Sequence, residues 1–378
     1  MADGSTGGFT DGRFAAVRDG FEANLKRGAD VGASFCATLE GETVVDLWGG
    51  WADAERTRPW ERDTIVNVYS TTKTMTALTA LLLADRGELD FDAPVARYWP
   101  EFAAAGKSAV KVSHLMSHSA GLSGWKTPIV VDDLYDREKV TSLLAAQTPY
   151  WEPGTAIGYH AMTQGYLVGE VVRRITGRSL GTVFREEIAE PLGADFHIGL
   201  PASEDARVAD LIPPPPGEGI AEGPQDWLGR NMSTNPGIDP RDTRTRAWRA
   251  AEIPAAGGHG NARSVAEIHV LLANGGVAKG RRLLSEAGCR KALELQIEGP
   301  DLVLGTPARF GMGFGLPGAT VPLPHPNTLF WGGYGGSLII IDMDARTTFA
   351  YAMNRMVSTT TGDDRAFGLV MGMWQALA

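Results

Sequence analysis

The sequence predicts an α/β fold in which one antiparallel sheet is flanked by helices and a mostly helical domain is inserted between its halves. Three observations carry this expectation. Each end of the chain supplies two β-rich runs around a polar turn, isolated two-stranded hairpins are marginal in water, and the stretch from about Thr74 to Leu272 is dominated by helical patterns. Joining the two hairpins into one sheet reconciles all three. The predicted organisation is an α/β domain built from residues 1–73 and 250–378, an inserted helical domain with long loops over residues 74–249, and an active site at their interface.

Taken in order, residues 14–25 carry a short helical pattern, and residues 33–39 and 43–48 surround Glu40-Gly41-Glu42 as a hairpin. Residues 74–85, 140–146, 162–176, 180–188 and 265–274 read as helices. Residues 337–341 and 347–353 flank Asp342-Met343-Asp344-Ala345-Arg346 as a second hairpin, and residues 365–377 close the chain as a helix. Two Pro/Gly-rich tracts, residues 212–239 and 316–328, exceed ordinary connections and read either as rims of a site or as mobile surface.

Composition excludes several classes. With 43% hydrophobic and 21% charged residues over 378 positions, the chain has material for two ordinary cores, so global disorder is ruled out. Thirty-five Lys and Arg against 45 Asp and Glu give a net charge of −10 with no long basic run, so nucleic acid is not an expected partner. The longest apolar stretch, residues 74–84, is too short for a bilayer, and Met1-Ala2-Asp3-Gly4 begins no charged-then-apolar leader. A cytoplasmic protein without a membrane partner is expected. Cys36 and Cys289 lie far apart without His or Cys at ligand spacing, which predicts two unreactive thiols rather than a disulfide framework or a zinc site.

Three Ser-x-x-Lys pairs occur, at Ser70/Lys73, Ser108/Lys111 and Ser123/Lys126, so the pattern alone does not choose a nucleophile. Context does. The latter two lie in strand-like or loop sequence next to Gly106, Gly124 and Pro128, whereas Tyr69-Ser70-Thr71-Thr72-Lys73 opens a helix that is apolar nearly all round. A spacing of three puts Ser70 and Lys73 on one helical face. Burial is what the chemistry needs: a lysine near pKa 10.4 must fall by ~3 units, roughly 4–5 kcal/mol, to act as a base at neutral pH.

Two further segments add to this. Trp151-Glu152-Pro153-Gly154-Thr155 forms a turn, and Tyr159 stands at the expected entrance of the next helix, where its phenol could share a proton with Lys73. Phe330-Trp331-Gly332-Gly333-Tyr334-Gly335-Gly336-Ser337 runs into a strand, and glycines there let main-chain N–H groups approach a substrate oxyanion.

In this order the segments resemble the serine hydrolases of the penicillin-binding protein and class C β-lactamase superfamily, and most closely its family VIII carboxylesterases. The similarity includes Asp63-Thr64, Leu115-Met116-Ser117-His118-Ser119-Ala120-Gly121-Leu122 and Ala255-Ala256-Gly257-Gly258, and spans nearly the whole chain. It implies a β-lactamase-like fold, Ser70 as acyl-accepting nucleophile, Lys73 as general base and Tyr159 as second proton-transfer residue. The N–H groups of Ser70 and Tyr334 would form the oxyanion hole, and no cofactor or metal is implied.

Two departures bear on the substrate. The family's Tyr-x-Asn is Tyr159-His160-Ala161, and its Lys/His-Thr/Ser-Gly is replaced by Trp331-Gly332-Gly333. A substrate carboxylate beside an indole loses about 1–3 kcal/mol per missing charged hydrogen bond. A neutral ester carries no such carboxylate, so a small-molecule ester of short or medium chain is the expected substrate, with Trp331, Gly332 and Gly333 at the binding site. Tyr69, Trp125, Tyr150, Trp151 and Trp227 are further aromatic candidates for the pocket. Weak β-lactam hydrolysis would accompany a shared nucleophile. The rivals are a β-lactamase or D,D-peptidase, and a non-catalytic acyl- or peptide-binding relative. Gly121-Leu122-Ser123-Gly124-Trp125 lacks the last glycine of a nucleophile elbow, and His114 and His118 lack the glutamate of a zinc-hydrolase helix.

Overall fold

A computed structural model of the chain describes residues 5–215 and 227–377. Its elements are β1 (Gly7–Thr10), α1 (Ala15–Lys26), β2 (Gly32–Leu39), β3 (Glu42–Gly50), β4 (Val66–Asn67), α2 (Thr72–Asp85), α3 (Arg137–Ala146), α4 (Thr163–Thr176), β5 (Phe196–Ile198), β6 (Gly258–Gly260), α5 (Ala262–Ala273), β7 (Thr328–Gly332), β8 (Leu338–Asp342), β9 (Thr347–Met353) and α6 (Asp364–Leu377), joined by shorter helical turns and hairpins.

The two terminal hairpins meet in one antiparallel sheet of order β1-β3-β2-β9-β8-β7. The junction is the pairing of β2 with β9, which runs in register from Leu39 opposite Thr347 to Ala33 opposite Met353. All seven residues of β9 are buried, because helices cover both faces. Neighbouring strand residues point to opposite sides: Thr348 Oγ1 donates to the Ala266 carbonyl on α5, while the Phe349 ring packs edge-on against Trp374 of α6 at 5.4 Å. The antiparallel sheet flanked by helices is therefore the fold.

Two strands differ from the expectation. Phe330-Trp331-Gly332 is not a strand entrance; it is the end of edge strand β7, with Trp331 opposite Ile339 and Gly332 opposite Leu338, and the glycines that follow form the corner into β8. No alternation marks this run, so only pairing with β8 defines it. Gly258-His259-Gly260, whose glycines carry no strand pattern, is the central strand of a second sheet of order β4-β6-β5. Glycine is required there: a Cβ on Gly258 would lie 2.5 Å from Thr72 Oγ1 and 2.6 Å from the Phe196 ring.

Every residue of α2 from Thr72 to Leu83 is buried, which makes it the central helix that its apolar sequence predicts. Gly165 on α4 lets the segment around Ala255 approach closely, since a Cβ there would meet Ala255 N at 2.3 Å. That approach delivers the Ala255 carbonyl to α2. Of the tract 212–239, residues 216–226 lie outside the described residues. No helix among the described residues is long and apolar enough to cross a membrane.

Candidate active site

Ser70 lies in a single 3-10 turn, Tyr69–Thr71, that leads into α2. The turn is fixed at both ends. Tyr69 N–H donates to Asn67 Oδ1 at 3.1 Å, and Ser337 Oγ lies 2.9 Å from both the Val68 carbonyl and Thr71 Oγ1. Ser70 itself is partly exposed while Val68, Tyr69 and residues Thr71 to Leu83 are buried. A substrate can therefore reach the hydroxyl and little else on this element.

Lys73 is 0% exposed, and its Nζ lies 3.0 Å from Ser70 Oγ. It also donates to the carbonyls of Ala161 at 2.7 Å and Ala255 at 3.0 Å. Burial, unrelieved by any carboxylate, pushes its pKa well below the usual lysine range. The other two Ser-x-x-Lys pairs lack this environment: Lys111 is exposed and pairs with Asp92, and Lys126 is exposed and donates to Thr148.

The Tyr159 hydroxyl donates to Ser70 Oγ at 2.8 Å, and its ring centroid is 5.0 Å from Lys73 Nζ. Burial raises the phenol pKa well above its usual range, against the lowering effect of hydrogen bonds with Ser70 and Trp331. The three predicted proton-handling side chains thus converge on one oxygen. Tyr159 is not at a helix entrance, however. Helix α4 starts at Thr163, and the residues before it are held by side chains: Asp301 Oδ1 accepts from Tyr159 N–H at 3.1 Å, and His118 Nδ1 accepts from His160 N–H at 3.0 Å.

The β7–β8 corner approaches Ser70 from the other side. A Cβ on Gly333 would stand 2.2 Å from the Val68 carbonyl, so only glycine lets the corner come this close. Gly315 exchanges hydrogen bonds with Phe330 along the outer edge of β7, and the Tyr334 ring sits 5.5 Å from that of Tyr69. Trp331 is only 5% exposed; it stacks on His118 at 5.5 Å and 24° and lies 5.5 Å from Phe310 and 6.2 Å from Tyr159. Among the other aromatic candidates, Trp125 is in the core with its indole N–H on the Val140 carbonyl, and Trp227 packs edge-on against Tyr150 at 4.8 Å. Trp151 packs over Gly158, where a Cβ would meet its ring at 2.3 Å.

Sequence reasoning missed Asp301 and Phe310, for which no local pattern exists, and, having set His118 aside as a metal ligand, gave it no role beside Tyr159. Its place in the Leu115–Leu122 segment was the available signal. Among the described residues, no group of three His, Cys, Asp or Glu side chains could hold a metal ion.

Residues 18–369 match the Beta-lactamase family. The chain belongs to that family. A crystal structure of a family VIII carboxylesterase is 45% identical, covers 98% of this chain and 100% of its own, and superposes with a TM-score of 0.93. A penicillin-binding protein homologue from Caulobacter crescentus is 39% identical with 98% and 100% coverage and a TM-score of 0.90. The esterase/beta-lactamase LipL of Mycobacterium tuberculosis is 36% identical over 376 residues, 95% of this chain and 85% of that protein. The resemblance to family VIII carboxylesterases read from the motifs therefore extends over nearly the full length.

Proposed function

We propose that this chain is a serine carboxylesterase that cleaves short- to medium-chain esters through an acyl-enzyme on Ser70, at the boundary between a sheet lobe (residues 1–73 and 250–378) and a helical lobe (residues 74–249). The observation that carries this reading is how the Lys73 amine is occupied. A neutral amine has two N–H donors and one lone pair. The Ala161 and Ala255 carbonyls take the donors, which leaves the lone pair for the Ser70 hydroxyl proton. Lys73 is thus the first proton acceptor, and Tyr159, kept protonated by burial, donates to Ser70 Oγ and then to the leaving alkoxide. The carbonyl oxygen of the tetrahedral intermediate lies against the N–H groups of Ser70 and Tyr334. The Lys73 ammonium returns its proton to the Tyr159 phenolate, which restores both groups; water then attacks the acyl-enzyme, Lys73 takes its proton, Tyr159 protonates the departing Ser70 Oγ, and the acid is released.

The ester preference rests on Trp331-Gly332-Gly333, which offers an indole and no cation to a substrate carboxylate. LipL and the family VIII structure carry esterase names, which supports the same substrate class. LipL's double name also supports a second, slower activity on β-lactams. The substrate is a neutral small molecule, with no nucleic-acid or membrane partner. The buried, unpaired thiols of Cys36 and Cys289 support placement in the cytoplasm. Hydrolysis of p-nitrophenyl esters beside nitrocefin tests the reading, with Ser70→Ala as control and phosphonate adducts mapped by mass spectrometry. Faster ester turnover and a label on Ser70 are expected. A label on Ser123, or an active Ser70→Ala variant, would overturn the mechanism.

A further inference from the structure

Three consecutive main-chain N–H groups around Tyr159 are satisfied by groups distant in sequence. Gly158 N–H donates to the His118 carbonyl at 3.0 Å, Tyr159 N–H to Asp301 Oδ1 at 3.1 Å and His160 N–H to His118 Nδ1 at 3.0 Å. His118 therefore grips the tyrosine from both sides with one backbone and one ring acceptor. Its ring also lies 4.9 Å from that of Tyr159, 5.1 Å from Phe310 and 5.5 Å from Trp331, so it packs against the tyrosine ring and against the indole beside it.

Two features say that the residue is held there against local preference. His118 adopts φ +59, a left-handed conformation that non-glycine residues seldom occupy. With Nδ1 accepting, the neutral ring carries its proton on Nε2, and that buried N–H has no hydrogen-bond partner among the described residues. Burial, with the titratable His160 and Lys73 facing the ring, keeps it neutral. His118 is thus no proton carrier.

We infer that His118 is a positioning residue that fixes the Tyr159 hydroxyl on Ser70 Oγ through its Nδ1 acceptor. This rests on the ester-hydrolase reading given above. Misplacing a reacting group by about 1 Å can cost roughly 10²-fold in rate.

The test separates acceptor from ring. His118→Phe keeps an aromatic ring and deletes the acceptor; His118→Asn restores an acceptor near Nδ1 and suits a left-handed backbone. Expected for the Phe variant is a fall in kcat of roughly 10²-fold with KM within about twofold, and an equal slowing of Ser70 phosphonylation. Expected for the Asn variant is recovery to within about tenfold of the parent. Parental kcat in His118→Phe, or equal loss in both variants at unchanged melting temperature, would overturn the assignment. If the Phe variant does not fold, His118→Leu replaces it and the Asn variant must still recover activity. Failure of the ester-hydrolase reading itself shows separately, as an active Ser70→Ala or an adduct elsewhere.

Discussion

Lys73 and Lys107 are both fully buried, yet their ammonium sites are built differently. Lys107 Nζ meets three main-chain carbonyls, of Ala104, Ala145 and Gln147, at 2.5 to 2.9 Å, one for each N–H of an ammonium, and its Nζ lies 5.3 Å from the Phe102 ring centroid. Lys73 meets two carbonyls and a hydroxyl. Replacing one carbonyl by a hydroxyl changes the chemistry, because a hydroxyl can donate and a carbonyl cannot. Burial lowers Lys107 to about 8, while Lys73 falls well below its usual range. A buried lysine is accordingly a structural cap or a base depending on its third partner.

The largest effect that would break this comparison is functional. Lys73→Met should cut kcat for ester hydrolysis by roughly 10³-fold or more with the fold retained, as read by steady-state kinetics and circular dichroism. Near-parental turnover would mean that the amine is not the base. Next comes Lys107→Met, which leaves three buried carbonyls without their donor. It should destabilise the protein by about 2–4 kcal/mol, read from denaturant midpoints, while the folded fraction keeps its kcat within about twofold. A kcat loss as large as that of Lys73→Met would erase the distinction.

The smallest effect is in the pH dependence of stability. A lysine whose pKa drops on folding binds fewer protons folded than unfolded between the two values, so it makes stability rise with pH across that window. For Lys107 the window runs from about 8 to the unfolded value near 10.4. For Lys73, lowered by burial, the sign is the same. Wild type should therefore gain stability relative to Lys107→Met as pH rises from about 8 toward 10, and relative to Lys73→Met with the same sign below the unfolded lysine value. Parallel urea titrations along the pH series read this directly. A pH-independent difference between wild type and Lys107→Met above pH 8 would show that burial does not lower that amine.

Much of this contrast was legible before folding. The apolar sequence after Ser70 marked Lys73 as buried, because a helix without a polar face has no side to offer to water. Lys107 carried no such mark: it follows Ala103-Ala104-Ala105-Gly106 in a turn, and its burial comes from residues Ala145 and Gln147 that close over it. Tyr159 was legible as a candidate but not in its setting. The pattern of α4 placed it at a helix start, whereas side chains from Asp301 and His118, distant in sequence, hold it outside the helix.

The chain by itself determined the two terminal hairpins, the principal helices and which serine had a lysine one turn away on a buried face, because periodicity and spacing are local properties. Only the tertiary structure decided that β7 exists, that a histidine and an aspartate grip the tyrosine, and that two carbonyls occupy the lysine's donors. Those contacts join residues up to 182 positions apart. No local pattern encodes them, since each depends on where the rest of the chain has already packed.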